Sequence, residues 1–253
     1  GEGGLMSITG EPDGLPMKVG VALVDVMTGL YSCNGILAAL LARQHTGTGQ
    51  HIDISLLDVQ FAALANQGMN YLTTGENPKR LGNGHPNIVP YQTFKTEDGA
   101  LILAVGNDQQ FKKFCCLAKL EELAIDVRFS TNQARVENRV QLIPILAKQI
   151  QNKTTQWWIH QLEQISVPCG AVNTIEDVVN HPQIKHREMV KQVPNALGEP
   201  VLTIANPINL SKTPLQYQQA SPALGQHTQQ VLENMLALTT SEIATLKLRS
   251  IVQ

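Results

Sequence analysis

The first pattern in the chain is an apolar run that passes directly into helical spacing. The run Val19–Val24 has valine or leucine at four of its six positions, which is typical of a short buried strand. From Val26 to Arg43, apolar side chains recur at intervals of three and four residues, which predicts a strongly apolar helix. Asp25 lies at the junction, between the predicted strand and the predicted helix.

A second strand and helix follow in the same order. His51–Ser55 alternates between polar and apolar residues and predicts a strand, and Leu56–Leu72 returns to helical spacing. Strands that alternate with helices favour a parallel α/β layer. The stretch Thr73–Pro90 is rich in Gly, Asn and Pro, which predicts an extended linker.

After this linker the pattern changes to that of a second domain. Tyr91–Val105 predicts a β-hairpin whose two strands are joined at Glu97–Gly99. Trp157 and Trp158 occur early in a predicted helix and are interpreted as core residues. The predicted helices are 108–118, 132–151, 155–165, 228–236 and 240–249, and the stretch 193–222 is rich in turn residues.

Charge and composition exclude several classes of partner. The formal net charge is −2 over 253 residues, which gives no electrostatic reason to expect nucleic acid or an anionic membrane as a partner. The uninterrupted apolar stretches are shorter than the ~18 residues of a membrane span, and we expect no signal peptide. Four cysteines without a CxxC pair favour a reducing, cytoplasmic compartment.

Common cofactor and metal motifs are incomplete or absent in the sequence. Gly82–Asn87 resembles the start of a dinucleotide fingerprint, but its third glycine is replaced by Asn87 and no strand precedes it. His181 and His186 are five residues apart across a proline, a poor spacing for two ligands on one helix face. We therefore expect neither a metal site nor a resident cofactor.

Asp25 has two interpretations from the residues alone. A carboxylate at the start of a helix commonly caps the free backbone N–H groups there. The same position also stabilises an anion and would present an ionised carboxylate at a sheet edge, ready for chemistry. Local sequence leaves both interpretations open.

Ordered motifs along most of the chain resemble those of the family III CoA-transferases, the relatives of formyl-CoA transferase and carnitine CoA-transferase. One departure is Gln226, where the family usually has Glu. The matching segments are Gly4–Gly14, Lys18–Gly29, His45–Gln50, Gly82–Gln92, Ile165–Val172 and Pro222–Leu232.

The resemblance implies a catalytic role for Asp25. In that family the aspartate at this position attacks an acyl-CoA thioester and passes through an aspartyl–acyl anhydride and an aspartyl-CoA thioester. The implied substrates are an acyl-CoA and a carboxylic acid, with coenzyme A carried as a substrate. Another reaction in the same superfamily, 2-methylacyl-CoA racemisation, uses the equivalent Asp as an acid/base and is the alternative. A third hypothesis is that the chain is not catalytic and serves an interaction.

The resemblance also implies a substrate loop. The segment formed by Gly82, Asn83, Gly84 and His85 matches the position of the family's mobile glycine-rich loop, which covers the active site. Its alternative is a plain interdomain linker. The form Gly-His-Pro-Asn-Ile-Val-Pro-Tyr resembles the branch that handles dicarboxylate acyl groups such as succinyl, glutaryl or mesaconyl.

Family members are longer than this chain, so the resemblance implies a C-terminal portion of the family's architecture. We expect an α/β protein with an incomplete Rossmann-like parallel layer of a large domain and a small α/β domain. The expected divisions are 1–76 for the large domain, 77–190 for the linker and small domain, and 191–253 for a segment that returns to the large domain. The complete protein is expected to form an interlocked homodimer.

Overall fold

The computed structural model describes residues 1–252 and divides by its contacts into two units, one of residues 1–172 and one that begins at Asn173. The first unit contains helices α1 to α9 and a three-stranded sheet, and the second contains α10 to α13 and a two-stranded sheet. A mixture of helices and sheets confirms the predicted α/β class at this coarse level. The divisions predicted near residues 76 and 190 remain predictions.

The first unit opens with four helices. These are α1 (Leu5–Ile8), α2 (Leu23–Thr46), α3 (Leu56–Ala62) and α4 (Ala65–Thr74). Helix α2 ends at Gly47, whose φ of 74° is the left-handed conformation that closes many helices. The helix predicted over Leu56–Leu72 is interrupted between α3 and α4, where Ala65 has a φ of 48°.

The strands predicted at Val19–Val24 and His51–Ser55 are wrong. Leu23 and Val24 form the first turn of α2 instead, because they continue its apolar spacing, and residues 51–55 have no regular structure. A β-strand requires a hydrogen-bonded neighbour, and neither segment pairs with any residue in the range 1–252. Both sheets in this range are antiparallel, so the predicted parallel layer is not observed there.

Helix α2 is apolar and exposed along its length. It has 24 residues, none of them buried, and its most apolar 18-residue window has a mean hydropathy of 1.4. Exposed apolar side chains include Leu30, Leu37 and Leu41. By length and composition this helix could cross a membrane, which corrects the expectation that no stretch is long enough. A core helix of a soluble protein has the same composition, so these properties alone do not assign a membrane location.

The hairpin predicted at Tyr91–Val105 is confirmed. Strands β1 (Tyr91–Lys95) and β2 (Ala100–Ala104) pair antiparallel. A third strand, β3 (Cys169–Ala171), joins the free side of β2 and was not predicted. Inward-facing Phe94, Leu101 and Leu103 are buried, as the alternation of a half-buried sheet requires.

Five helices enclose the main hydrophobic core of the first unit together with this sheet, and two of them, α8 and α9, pack directly against its strands. They are α5 (Asp108–Ala118), α6 (Glu121–Ile125), α7 (Asn132–Glu137), α8 (Arg139–Ile150) and α9 (Thr155–Gln164). The single helix predicted at 132–151 is split at Asn138, whose φ and ψ of −106° and 20° are not helical. The core includes Phe111 and Phe114 of α5, Leu142 and Leu146 of α8, and Leu162 of α9.

The core role predicted for the tryptophans is confirmed. Trp158 is 2% exposed and its indole N–H donates to the carbonyl of Ile150 at 2.7 Å. Trp157 is half-buried against the same core and meets Trp158 edge to face, with ring centroids 4.9 Å apart. Such pairs prefer this T-shaped arrangement because the positive ring edge faces the negative ring face.

The second unit is built from short elements. They are α10 (Ile175–Asn180), α11 (Pro182–His186), β4 (Val190–Pro194), β5 (Pro200–Ile204), α12 (Thr228–Leu236) and α13 (Thr240–Leu248). The two last helices confirm the sequence prediction. The β4–β5 hairpin overlaps the stretch interpreted only as turns, and its turn is stabilised by Asn195, whose side chain accepts hydrogen bonds from the N–H groups of Leu197 and Glu199.

Candidate functional site

Asp25 lies in the first turn of α2, exposed to solvent. The N-cap position is Ala22, three residues earlier, and the Asp25 carboxylate accepts no hydrogen bond from the residues that the structure describes. The capping interpretation of Asp25 is therefore wrong. The carboxylate remains available, close to the positive end of the helix dipole.

Backbone donors lie next to this carboxylate. The first N–H groups of a helix have no partner within the helix. In the described part of the chain, the N–H of Leu23 donates to the carbonyl of Val21 at 2.9 Å, while those of Val24 and Asp25 donate to no protein acceptor. Two free N–H groups thus accompany the carboxylate and can stabilise negative charge on a nearby oxygen.

A cavity of about 330 Å³ adjoins the start of α2. Its wall combines Asp25 and the preceding run 17–24 with Met6 of α1 and Gln60 of α3. Lys18 adds a cation to the same wall. The cavity therefore offers an apolar surface, one carboxylate and one cation.

The glycines of the predicted substrate loop are required by its backbone. Gly82 has a φ of 57°, and a Cβ there would lie 3.0 Å from Oε2 of Glu11. A Cβ on Gly84 would lie 3.0 Å from the carbonyl oxygen of Leu81, which accepts the Gly84 N–H at 2.8 Å. Asn83 is exposed at the tip of this turn. Larger side chains at either glycine would force the turn to change.

His85 is held in one orientation at the end of the loop. Its ring stacks on Tyr91 with centroids 5.3 Å apart and planes 7° from parallel. Its Nδ1 accepts the backbone N–H of Asn87 at 3.1 Å. Burial, and next the positive charge of Arg139, lower the pKa of His85 below its usual value, so the ring is neutral at pH 7.

The loop is tied to the chain that leads to the cavity, but it does not line the cavity. The N–H of Gly82 donates to the carbonyl of Gly10 at 3.0 Å, and the guanidinium of Arg80 donates to the carbonyls of Glu11 and Gly14 at 3.2 and 2.7 Å. Within residues 1–252, the cavity wall that contains Asp25 includes none of the residues 82–85. The structure thus places the two predicted parts of the site on connected segments.

Sequence reasoning missed three polar residues that hold the loop. Asn132 and Arg135 of α7 and Arg139 at the start of α8 are spaced i, i+3 and i+7. All three bond to backbone groups of residues 85–89. Their spacing would place them on one helix face, but the sequence contains no signal that this face meets the loop.

Between residues 1 and 252, no three His, Cys, Asp or Glu side chains form a cluster that could hold a metal ion. His181, one of the two histidines considered at the sequence level, has a different role. It is the N-cap of α11, where its Nδ1 accepts the N–H of Gln183 at 3.1 Å.

Comparison with known proteins identifies the family. The model of CoA-transferase family III matches residues 1–228, so this chain belongs to that family. It is 46% identical to the succinate–glutarate CoA-transferase of Agrobacterium fabrum over 93% of the chain and 59% of that protein. It is 36% identical to the succinyl-CoA:glutarate CoA-transferase of Mus musculus over 99% of the chain and 57% of that protein.

A solved structure supports the same assignment. The crystal structure of a CAIB/BAIF family protein from Brucella suis matches with a TM-score of 0.74 and 45% identity, over 90% of this chain and 59% of that one. The chain therefore spans less than two thirds of the length of each of these relatives.

Proposed function

We propose that this chain supplies the nucleophile of a CoA-transferase that moves coenzyme A from an acyl-CoA to a carboxylic acid. The observation that carries the proposal is the placement of Asp25, an exposed carboxylate beside two free N–H groups at the rim of a cavity. Family membership supports the reaction class. Coenzyme A thioester is a substrate in this proposal, and no resident cofactor takes part.

The proposed reaction uses Asp25 as a covalent relay. A carboxylate oxygen attacks the thioester carbonyl, the C–S bond breaks, and CoA thiolate leaves an aspartyl–acyl anhydride. The thiolate attacks the aspartyl carbonyl, which releases the acid and forms an aspartyl-CoA thioester. An acceptor carboxylate then reverses both steps and takes the coenzyme A. The N–H groups of Val24 and Asp25 are suited to stabilise the tetrahedral oxyanions.

Dicarboxylates are the proposed acids. The two curated relatives described above are named for succinate and glutarate, and neither is named as a racemase. The racemase alternative has no support from these relatives, so we do not adopt it. We assign substrate contact to Gly82, Asn83, Gly84 and His85, because the glycines allow close backbone approach and His85 offers a neutral ring.

The whole protein is proposed to have the family's larger architecture. We infer that the segments 19–22 and 51–55 lie beside a Rossmann-like parallel layer and that the exposed apolar faces of α2 pack within it. An interlocked homodimer in the cytoplasm, without nucleic-acid or membrane partners, completes the proposal.

The test is CoA exchange between succinyl-CoA and glutarate. It is measured for the 253-residue chain alone and for a chimera that adds the part of the Agrobacterium relative that this chain does not match. We expect exchange by the chimera and little by the chain alone. Asp25→Ala in the chimera should lower the rate by about four orders of magnitude, as removal of a covalent nucleophile does.

Trapping of the intermediate gives a second measurement. Hydroxylamine added to the chimera with succinyl-CoA should convert the acylated Asp25 to a hydroxamate, which peptide mass spectrometry locates. Circular dichroism controls for folding of the alanine variant, and we expect no change because Asp25 is exposed and unbonded. Exchange at the unsubstituted rate by this variant would end the proposal.

A further inference from the structure

The backbone of the loop that carries His85 is held from one side by a set of side chains that we call the clamp: Asn132, Arg135 and Arg139. The Asn132 amide donates to the carbonyl of Asn87 at 2.8 Å and accepts the N–H of Val89 at 3.2 Å. Arg135 donates to the carbonyl of Val89 at 2.6 Å. These bonds hold the backbone at Asn87 and Val89, in the segment that follows His85.

Arg139 completes the clamp at His85 itself. Its two terminal nitrogens donate to the carbonyls of His85 and Pro86 at 3.2 and 2.7 Å. Its Nε donates to the carbonyl of Val136 at 3.4 Å. The guanidinium is half-buried, and every bond it makes is to an uncharged carbonyl.

The charge of Arg139 is not neutralised by the protein. Arg135, the other arginine of the clamp, forms an ion pair with Asp108 at 2.9 Å. Among residues 1–252, no carboxylate lies within 4.0 Å of the Arg139 guanidinium. A cation that is partly removed from water without a counter-ion creates a positive potential, which favours an anionic ligand close by.

The geometry also sets the tautomer of His85. Because Nδ1 accepts the Asn87 N–H in a neutral ring, the ring proton resides on Nε2. In the described residues, Nε2 has no hydrogen-bond partner, while the ring stays fixed against Tyr91. One donor is therefore left available beside an uncompensated positive charge.

We propose that Arg139 and His85 together form a recognition site for the free carboxylate of the acid substrate. Nε2–H of His85 donates to a carboxylate oxygen, and Arg139 acts as a positioning residue that fixes the loop and supplies the balancing charge. This inference rests on the proposed function for the identity of the ligand, and it assigns Arg139 a role in selecting acids over uncharged analogues.

The first experiment measures the tautomer and the ligand directly in the 253-residue chain, without turnover. Nitrogen-15 labelling of histidine reports the protonation of each ring nitrogen by NMR, and His85→Gln assigns the His85 signal. At pH 7.5, we expect the Nε2–H form for His85. Glutarate should shift this signal in a saturable way, and glutaramide, its uncharged analogue, should not. A mixed tautomer, or no response to glutarate, would overturn the proposal.

Variants then separate positioning from general stability. Arg139→Gln removes the charge, and we expect it to weaken glutarate binding by about tenfold or more, because both the balancing charge and the forked hold on the loop are lost. Arg139→Lys restores charge without the forked geometry and should recover part of the affinity. The matched control is Arg128→Gln, because Arg128 is an exposed arginine whose side chain bonds to Asp126 and Gln141 and to no residue of the loop. Equal binding by Arg139→Gln and Arg128→Gln would contradict the role of Arg139.

Activity of the chimera distinguishes this inference from the proposed function. For Arg139→Gln, we expect a raised KM for glutarate and a smaller change in kcat. Exchange that is unaffected by Arg139→Gln would leave the transferase proposal intact and end this one. Glutarate binding at His85 in a chimera that exchanges no coenzyme A would support this inference and contradict the transferase proposal.

Discussion

The sheet-and-helix core of the first unit is formed by β1–β3 and α5–α9. Arg135 is fully buried in this core and bridges three parts of it. It donates to the carbonyls of Val89 and Phe129, pairs with Asp108, and places its guanidinium 4.4 Å from the ring centroid of Phe111. Burial without these partners would carry a large desolvation cost. Arg135 therefore stabilises this core only because its buried N–H donors and its charge all have partners.

Removal of Arg135 should destabilise the protein strongly. We expect Arg135→Met to lower the free energy of unfolding by about 3–5 kcal/mol, because two buried carbonyls and Asp108 lose their partner. Urea unfolding followed by circular dichroism measures the change. The control is Arg128→Met, an exposed arginine whose loss should leave the urea midpoint nearly unchanged. Equal midpoints for the two variants would show that the buried set is not stabilising.

At this scale the sequence identified residues that belong to recognisable motifs and missed those that act through contacts. Asp25 belongs to such a motif, although the helix that contains it begins at Leu23, three residues before the predicted start at Val26. Arg139 has no motif of its own. Its proposed role depends on hydrogen bonds to residues 85 and 86, which are more than fifty positions away in the sequence and come close only in the folded protein.

The β1–β2 hairpin is joined to α9 through Asp98. Its carboxylate accepts the Thr155 N–H at 2.8 Å and the hydroxyls of Thr155 and Thr96 at 3.0 and 3.3 Å. The hydrogen bond from the Thr155 N–H is the main cause of a lowered pKa for Asp98. A carboxylate whose pKa is lower in the folded state contributes stability above its unfolded pKa, and this stability is lost as the pH falls through the folded value.

The prediction is a change in acid sensitivity. Asp98→Asn should reduce stability at pH 7 and flatten the decline in stability below about pH 4, where Asp98 becomes protonated in the unfolded chain before it does in the folded protein. Urea midpoints measured between pH 7 and pH 2 give both quantities. If the two proteins lose stability in parallel with falling pH, the carboxylate does not join hairpin and helix.

The turn at residues 81–84, which contains Gly82 and Gly84, carries the next prediction. Gly82→Val places valine in a left-handed conformation that it avoids, and Gly84→Val brings the valine Cβ against the Leu81 carbonyl oxygen. In the chimera, we expect either change to slow turnover more than it weakens CoA binding, since the turn carries the proposed substrate contacts. Unchanged kcat in both variants would favour a simple linker.

Elements with local signals were predicted well, and those that need a distant neighbour were not. The hairpin at 91–104 and the helix at 108–118 carry their own turn and periodicity. In contrast, β3 has three residues and exists because β2 lies beside it. The run 19–24 shows the opposite error, since an apolar pattern predicts a strand only where a partner strand is available.

At the scale of the molecule, burial is uneven. The sheet-and-helix core contains nearly all of the fully buried side chains, whereas α2 has none. Amides open with free energies that follow such differences in packing. Hydrogen exchange followed by mass spectrometry should therefore show slow exchange in peptides from 94–167 and fast exchange in 19–46 of the 253-residue chain.

The chimera provides the control for that prediction. If the added part of the Agrobacterium relative covers α2, exchange in residues 19–46 should slow while exchange in 94–167 stays the same. Equal and strong protection of both regions in the chain alone would contradict the prediction. Sequence reasoning predicted the hairpin and most helices of the 94–167 region, but not the exposure of α2, because periodicity shows that a helix is apolar and does not show what it packs against.

The positions of Trp157 and Trp158 determine what optical measurements on this protein can report. They are the only tryptophans in the chain, and both lie in one helix of the same core. Intrinsic emission excited at the indole band therefore follows the melting of that core alone. A thermal scan read by fluorescence would look cooperative and complete even if the helix bearing Asp25 had already frayed, so a tryptophan placed on α2 would be needed to observe unfolding of that helix.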